Sequence, residues 1–327
     1  MTPEIRLVDP LAADVDEHHE LHLAVSRVDY PDIAPPTRET VQARLRNPDV
    51  DLGESLAWTA RVDGRLVGAL ATQLPEDGNE HLSMVRLVVH PSFRRQGIGT
   101  LLLHTAAVEL RDRGREVAEV SRVESNSPGA RFATALGFRT VNTSVFQLLE
   151  FAEVDPAVWE VPVPLGYRLV RWIGQAPEYL VESYVRARHA IGDAPPGQSA
   201  FRTPSWTVSR LRRLEADYRA NGIERRVVAA VDSDGDVVGI TELDLQSLRP
   251  DLAAQRDTAV LAAHRGHGLG QAMKAAMLRW ITVDKTDLRR VWTSTATANQ
   301  YMADVNHRLG FATVRRYSLV NRELEGL

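Results

Sequence analysis

The chain has 327 residues, 44% hydrophobic and 25% charged, with a formal net charge of −4 and no cysteine. That length suggests two domains, each able to bury its own core, and the weak negative charge gives no reason to expect nucleic-acid or membrane binding. Absent cysteine excludes disulfides, zinc–thiolate sites and a cysteine nucleophile; with no signal-peptide or membrane-spanning apolar run, a cytoplasmic protein is expected.

A first strand is expected over residues 5–8, then a polar helical region interrupted at Ala34-Pro35-Pro36. Within it His18, His19 and His22 resemble a metal cluster, but no HExxH pattern or third ligand accompanies them, so a polar helix face is expected and no metal. Strands over 58–62 and 66–73 flank Asp63-Gly64, a hairpin signal. A strand over 82–89 leads into Arg94-Arg95-Gln96-Gly97-Ile98-Gly99-Thr100 and a helix that stops near Gly114. Next come a strand over 116–120, Asn126, a second helix, Leu136-Gly137-Phe138 and a final strand. Residues 151–165 are proline-rich and suit an extended connector.

The order then repeats: a strand over 167–170, a polar region with Ala194-Pro195-Pro196, and strands over 227–231 and 237–243 around Asp234-Gly235. A strand over 258–261 precedes Arg265-Gly266-His267-Gly268-Leu269-Gly270-Gln271, followed by a helix over 271–281, a strand over 290–293, Asn299 and Leu309-Gly310-Phe311. Arg265, Gly268 and Gly270 each follow Arg94, Gly97 and Gly99 by 171 residues; Asn299 and Gly310 follow Asn126 and Gly137 by 173. Matched features in one order identify an internal repeat. We expect two domains, 1–150 and 166–327, joined by 151–165. The fold class is α/β, each domain a mixed, mostly antiparallel sheet flanked by helices.

A glycine-rich turn between strand and helix aims backbone N–H groups at one point, at the positive end of a helix dipole, where a pyrophosphate can sit. Glycine removes the obstructing Cβ, and the leading arginine offers a charge-assisted contact. A dinucleotide fold wants a third glycine where Leu102 and Met273 stand, and a Walker loop wants Gly-Lys-Ser/Thr. A small-molecule transferase is the reading that remains.

Strand, Arg-x-x-Gly-x-Gly, helix, strand, Asn, helix and Leu-Gly-Phe resemble the GNAT superfamily of acyl-CoA-dependent N-acyltransferases, here as two tandem domains. The second copy, with Lys274, Asn299, Met302 and Asn306, is similar to the second half of actinobacterial tandem GNATs, a layout shared with mycothiol synthase and some antibiotic N-acetyltransferases. The resemblance implies acetyl-CoA as donor cosubstrate and a primary amine of a small molecule as acceptor, with the protein a monomer or homodimer. It implies that Arg94, Arg95, Gln96, Gly97, Ile98, Gly99 and Thr100, and Arg265, Gly266, His267, Gly268, Leu269, Gly270 and Gln271, hold the pyrophosphate. Bulged strand ends at Leu87, Val88 and Val89, and at Thr258 and Val260, together with Asn126 and Asn299, would hold the pantetheine arm.

The family's usual tyrosine acid is replaced at the aligned positions by Ala133 and Asn306, and its strand glutamate by Ser83 and Ala254. Glu242 and Asp257 are therefore the candidate catalytic carboxylates, against the alternative of solvated sheet-edge groups. Glu80, His81 and Glu124 are the first unit's weaker counterparts, and Tyr301 and Tyr317 could supply the acid or simply pack. The acceptor would lie against the segments 29–46 or 193–213, the second unit being favoured as the active one. A non-catalytic acyl-CoA sensor and a protein or peptide N-acetyltransferase stay open as alternatives.

Overall fold

The computed structural model describes residues 2–46, 52–193 and 197–327; the Ala194-Pro195-Pro196 interruption lies outside them. The chain forms two compact units: Met1–Val141 with Ser199–Arg202 and Leu319–Leu327, and Asn142–Gln198 with Thr203–Ser318. Among the described residues no helix is long and apolar enough to cross a membrane.

Unit 1 begins with β1 (Glu4–Val8), α1 (Val15–Asp29) and α2 (Arg38–Arg46). Asp14 caps α1, its carboxylate accepting from the amides of Asp16 and Glu17, which satisfies two N–H groups that the first helical turn leaves without acceptors. Strands β2 (Glu54–Val62) and β3 (Arg65–Leu74) form the expected hairpin, with Asp63 at φ 49° and Gly64 at φ 81° in its turn. Two consecutive left-handed residues match the right-handed twist of the flanking strands. There follow β4 (Leu82–Val89), α3 (Ile98–Asp112), β5 (Val117–Glu124) and α4 (Pro128–Ala135). The sheet order is β1-β2-β3-β4-β5, antiparallel except for β4 with β5. On one face α3 buries Ile98, Leu102, Leu103, Ala106 and Leu110 against Trp58, Val67 and Leu70; each such leucine contributes about 2 kcal/mol of transfer free energy. On the other, Leu21 and Val25 of α1 meet Leu66 and Val88.

Unit 2 holds β6 (Arg139–Glu150, from Asn142 on), β7 (Arg168–Ile173), α5 (Val181–His189), α6 (Val208–Ala220), β8 (Ile223–Val231), β9 (Val237–Gln246), β10 (Leu252–Val260), α7 (Leu269–Asp284), β11 (Arg290–Ala296) and α8 (Gln300–Arg308). Its strands run in the order β6-β11-β10-β9-β8-β7, with β10 and β11 parallel. Leu269, Met273, Met277, Leu278 and Ile281 of α7 pack on one face, and Tyr184, Val185 and Leu211 of α5 and α6 on the other. The last strand, β12 (Ala312–Glu323), begins in unit 2 and ends in unit 1.

The compact units therefore divide the chain differently from the sequence repeat. Strand β6 closes the first repeat, yet it pairs along β11 from Glu150↔Arg290 to Ser144↔Ala296. Conversely, Val320 and Leu324 join the core of unit 1. The 151–165 segment is also more than an extended connector. It carries two short 3₁₀ turns, and Trp159 is buried with its indole N–H donating to the Leu309 carbonyl at 2.9 Å.

The same segment gives the two Leu-Gly-Phe motifs unequal tolerances. Gly310 adopts φ 97°, and a Cβ there would lie 2.7 Å from both methyls of Val154. Gly137 adopts φ 77° with only the Arg322 side chain nearby, at 3.5 Å. We predict that Gly310→Ala costs about 3 kcal/mol, the sum of a left-handed backbone and a clash, whereas Gly137→Ala costs about 1 kcal/mol. Urea unfolding of both variants measures this; equal losses would contradict it.

Candidate functional site

In both units the parallel strands part almost as soon as they meet. β4 pairs with β5 only from Leu82↔Val117 to Met84↔Glu119, and β10 with β11 only from Leu252↔Arg290 to Ala254↔Trp292. Beyond those three pairs, Leu87, Val88 and Val89, and Thr258 and Val260, face an opening on that side of the sheet. Each opening ends at a glycine turn. In the first, Arg95 (φ 62°) and Gly97 (φ 80°) are left-handed; in the second, Gly266 (φ 84°) and Gly268 (φ 83°) are. The helices then start with Leu101 N–H to Gly97 O (2.9 Å) and Ala272 N–H to Gly268 O (3.1 Å). The amides of Ile98, Gly99 and Thr100, and of Leu269, Gly270 and Gln271, therefore have no acceptor within their helices. Arg95, Gln96, Gly97, Gly266 and His267 are exposed, so each turn can offer N–H groups to an anion.

The leading arginines do something other than the expected phosphate contact. Arg94 donates through Nε to Val89 O (3.0 Å) and through both Nη atoms to the Asp29 carboxylate (2.8 Å each). Arg265 donates through Nε to Val260 O (2.9 Å) and pairs with Asp193. Each guanidinium ties its turn to the strand end and to an aspartate of the preceding helical region. Asn299 is likewise occupied: its side chain caps α8, accepting from Met302 N–H at 3.2 Å. Asn126 is exposed, at φ 63°, one residue before the cap of α4.

The two openings differ. The β3–β4 ladder runs without interruption from Gly68↔Val89 to Gln73↔Met84, so the bulge expected at 87–89 is absent. In β10 the register shifts between Gln255↔Leu243 and Thr258↔Thr241, so Arg256 and Asp257 both stand opposite Glu242. This single inserted residue also realigns the repeats. The parallel registers set Ser83 against Ala253, and Ala254 against Met84, rather than Ser83 against Ala254. In unit 1 a Cβ on Gly99 would lie 3.2 Å from the Phe132 ring; the equivalent atom on Gly270 would lie 3.8 Å from Thr258 and 4.0 Å from Met302. The glycine at the start of α7 is thus less tightly packed than its counterpart in α3.

Behind the bulge lies a buried charge network that was not foreseen from sequence. Glu242 is fully buried and accepts from Tyr184 Oη (2.5 Å), from Arg188 and from Arg225 Nη1 (3.0 Å). Arg225 also grips Asp244 through Nε (2.7 Å) and Nη2 (2.8 Å), with its guanidinium 4.1 Å from the Tyr218 ring centroid. The Arg188 guanidinium stacks 3.8 Å from the Trp206 centroid. Burial disfavours the Glu242 anion, but Arg188 and Arg225 outweigh it and hold the carboxyl below its ordinary range. Asp257 is shifted the other way, upward, by burial and then by the Glu242 charge. Among the described residues no hydrogen bond reaches its carboxylate. Glu242, expected as a base, is thus locked in ion pairs, while Asp257 stands without a partner beside the opening. Register counting back from the Asp234-Gly235 turn could have exposed the network, because it sets Arg225 opposite Asp244.

The remaining candidates are placed as follows. His81 Nε2 lies 3.0 Å from Ala200 O, and Glu80 accepts from Gly78 N–H at 3.1 Å; Glu124 lies on β5. Tyr301 is exposed, and Tyr317 packs edge-on to Phe146. Of the three histidines, His18 is buried, His19 Nε2 lies 3.1 Å from Pro36 O, and burial drives His22 down to about 4.

Comparison with known proteins agrees with this geometry. A family described as acetyltransferase (GNAT) matches residues 20–138 and 197–311, together more than half of the chain. The chain is 27% identical over 275 residues to a mycothiol acetyltransferase of Mycolicibacterium paratuberculosis, covering 81% of this chain and 80% of that one. It is 29% identical over 313 residues to one of Salinispora arenicola, covering 94% and 92%. Among solved structures, a tandem GNAT protein from the clavulanic acid biosynthesis pathway superposes with a TM-score of 0.80 at 28% identity, covering 99% of both chains. A GCN5-related N-acetyltransferase from Sphaerobacter thermophilus, at 18% identity and a TM-score of 0.73, covers 98% of this chain and 96% of that one and shares the fold.

The network makes a contrasting prediction for the two carboxylates. Glu242→Gln leaves two buried arginines undercompensated and should cost about 3–5 kcal/mol. Asp257 has a raised pKa in the fold, so its stability penalty grows as pH rises from the unfolded value toward the folded one and is complete above it, and Asp257→Asn should be neutral or slightly stabilising at pH 7. Chemical denaturation at pH 7 checks both; a large loss in the Asp257 variant would show that this carboxylate has a structural partner.

Proposed function

Because the chain belongs to the acetyltransferase (GNAT) family, we propose that it transfers an acetyl group from acetyl-CoA to a primary amine of a small molecule, and that unit 2 performs the transfer. The observation that carries this reading is the parting of β10 from β11 below a glycine turn whose Gly266 and His267 are exposed, with an unpaired carboxylate at the bulge. The similarity to mycothiol acetyltransferases and to a tandem GNAT of an antibiotic pathway supports a small-molecule acceptor.

The residues present fit the donor. Gly266, His267, Gly268 and Gly270 would hold its pyrophosphate through backbone amides, and the open edge of β10 at Thr258 and Val260 would pair with the arm. Thr258 Oγ1 is itself fixed 2.7 Å from Thr241 Oγ1. Acetyl-CoA supplies an activated thioester. The acceptor amine must reach it neutral, and Asp257 takes up the ammonium proton directly or through one water. The surrounding charges favour that transfer. Arg188 and Arg225 are already neutralised by Glu242 and Asp244, so they leave Asp257 free to gain a proton. Glu242 acts by fixing the charge environment, as a positioning residue. Unit 1, with an unbroken β4 ladder, Phe132 against Gly99 and Ala133 at the acid position, is read as a non-catalytic relative of the same site.

A coenzyme-release assay against a panel of small amines tests the reading. Asp257→Asn should lower kcat/KM by about 10²–10⁴ while leaving acetyl-CoA affinity unchanged. Wild-type activity should fall as pH drops through the raised Asp257 pKa, and the variant should lack that acidic limb. Full turnover in the variant, or no release from wild type with any amine, would refute the proposal.

A further inference from the structure

Lys274 sits on the buried face of α7, one turn beyond Gly270, and is 1% exposed. Its Nζ lies 5.6 Å from the centroid of the Phe311 ring. Among the described residues no carboxylate or hydrogen-bond acceptor meets it. On the facing helix α8, Asn306 is fully buried; its Nδ2 donates to Gln147 Oε1 (2.8 Å) and Thr295 Oγ1 (3.2 Å), while its Oδ1 has no donor. Both groups adjoin Phe311, whose amide donates to the Asn306 carbonyl at 3.0 Å. Asn306 Oδ1 is therefore a buried acceptor without a donor, and Lys274, on the helix facing it, is among the described residues a lysine with no polar side-chain partner, both on the helix pair that borders the β10–β11 opening.

The internal repeat shows that the fold does not require either group. The aligned residues of unit 1 are Leu103 and Ala133, both buried and apolar. An unmatched buried polar atom destabilises a fold by the full cost of its lost hydration, and a charged one more so. At these helix positions unit 2 carries a lysine and an unmatched amide oxygen where unit 1 carries leucine and alanine. Tyrosine is the family's usual acid at the position of Asn306, and an amide cannot serve as a proton donor to a thiolate. Tyr301 is exposed and Tyr317 packs on Phe146, so neither replaces it.

We propose that Lys274 and Asn306 form the seat of the leaving sulfur in unit 2, the Lys274 ammonium giving its proton to the thiolate and Asn306 Oδ1 accepting the S–H of the thiol so formed. The assignment rests on reading unit 2 as the site of transfer. In the step, the acceptor nitrogen bonds to the acetyl carbon and the C–S electron pair leaves on sulfur. One proton passes from Lys274 Nζ to sulfur; the acceptor's surplus proton goes to Asp257, and solvent reloads Lys274. Burial alone lowers Lys274 to about 7, with no charged side chain contributing from α8, β10, β11 or β12. That value suits proton transfer at neutral pH.

Lys274→Leu and Asn306→Ala install the residues that unit 1 already packs, and Lys274→Met keeps the side chain's length. The folded pKa of Lys274 is depressed, so its stability penalty is complete below about pH 7 and fades as pH rises toward the unfolded value near 10.5. Lys274→Leu and Lys274→Met should therefore melt higher than wild type at pH 6, with the gap closing by pH 10, which establishes that both are folded. With the same proteins, kcat should fall about 10²-fold for either Lys274 variant, acetyl-CoA affinity by calorimetry should change less than about 3-fold, and the alkaline limb of the kcat–pH profile should disappear. Asn306→Ala should keep that limb at reduced kcat. A stable Lys274 variant with wild-type kcat and an unaltered pH profile would overturn this proposal while leaving the acetyltransferase reading intact. Wild type that neither binds acetyl-CoA nor releases coenzyme would overturn both.

Discussion

One additional residue in β10 sets the chemistry of the second unit apart from that of the first. A strand whose ladder is intact buries its backbone polar groups in pairing and alternates its side chains strictly between faces. Inserting one residue breaks both rules locally. Arg256 and Asp257 both stand opposite Glu242, and the ladder resumes at Thr258 beside the opening. The parallel partner has already diverged after Ala254, so the strand offers unpaired backbone on that side. In unit 1 the same divergence occurs after Met84, but the β3–β4 ladder runs on without an inserted residue.

Among the described residues the Asp257 carboxylate takes part in no hydrogen bond, although charges crowd it. Three arginines and two other acids lie close by, Arg188 and Arg225 on Glu242 and Arg225 and Arg256 on Asp244, which leaves one positive charge in excess. Burial and the Glu242 charge nonetheless outweigh the three arginines, so the Asp257 carboxyl is held above its ordinary range and stays a competent proton acceptor. Stacking of Arg188 on Trp206 and of Arg225 on Tyr218 fixes the guanidinium planes without adding charge. The network thus forms a braced wall behind one titratable group.

Backbone devices were legible in the sequence and side-chain partnerships were not. Glycine between a strand and a helix is a strong signal for a left-handed turn, so Gly97, Gly266 and Gly268 identified both amide turns, and the even spacing of the copies identified the repeat. An arginine beside such a turn looks like a phosphate ligand because its partner is invisible: Asp29 lies 65 residues from Arg94, and Asp193 lies 72 from Arg265. The place of the bulge, at 256–257 rather than at the expected 258–260, escaped for a related reason. The hairpin turns before the inserted residue and the glycine loops after it keep the same 171-residue spacing, and between them one short strand start hid the slip to 170 residues that the parallel registers reveal. Glu242 drew notice as an acid on a strand, but its role depended on Arg188 and Tyr184 from a helix 54 and 58 residues away.

Duplication supplies an internal control for deciding which polar groups the fold itself needs. Where both copies keep a feature, as with each arginine tying its turn to a strand carbonyl and an aspartate, the feature serves the shared backbone geometry. Where they diverge, the fold has shown that it can do without the costlier choice. Ala71 occupies the place opposite the strand in unit 1 that Glu242 holds in unit 2, and Leu103 and Ala133 occupy those of Lys274 and Asn306. Apolar residues at those positions pack well, so the ionisable and amide groups of unit 2 add desolvation cost without architectural necessity. Departures from local packing rules concentrate at functional sites. Here they gather around one opening, on both faces of the sheet: Asp257 where an amine would lose its proton, and Lys274 where a thiolate would gain one.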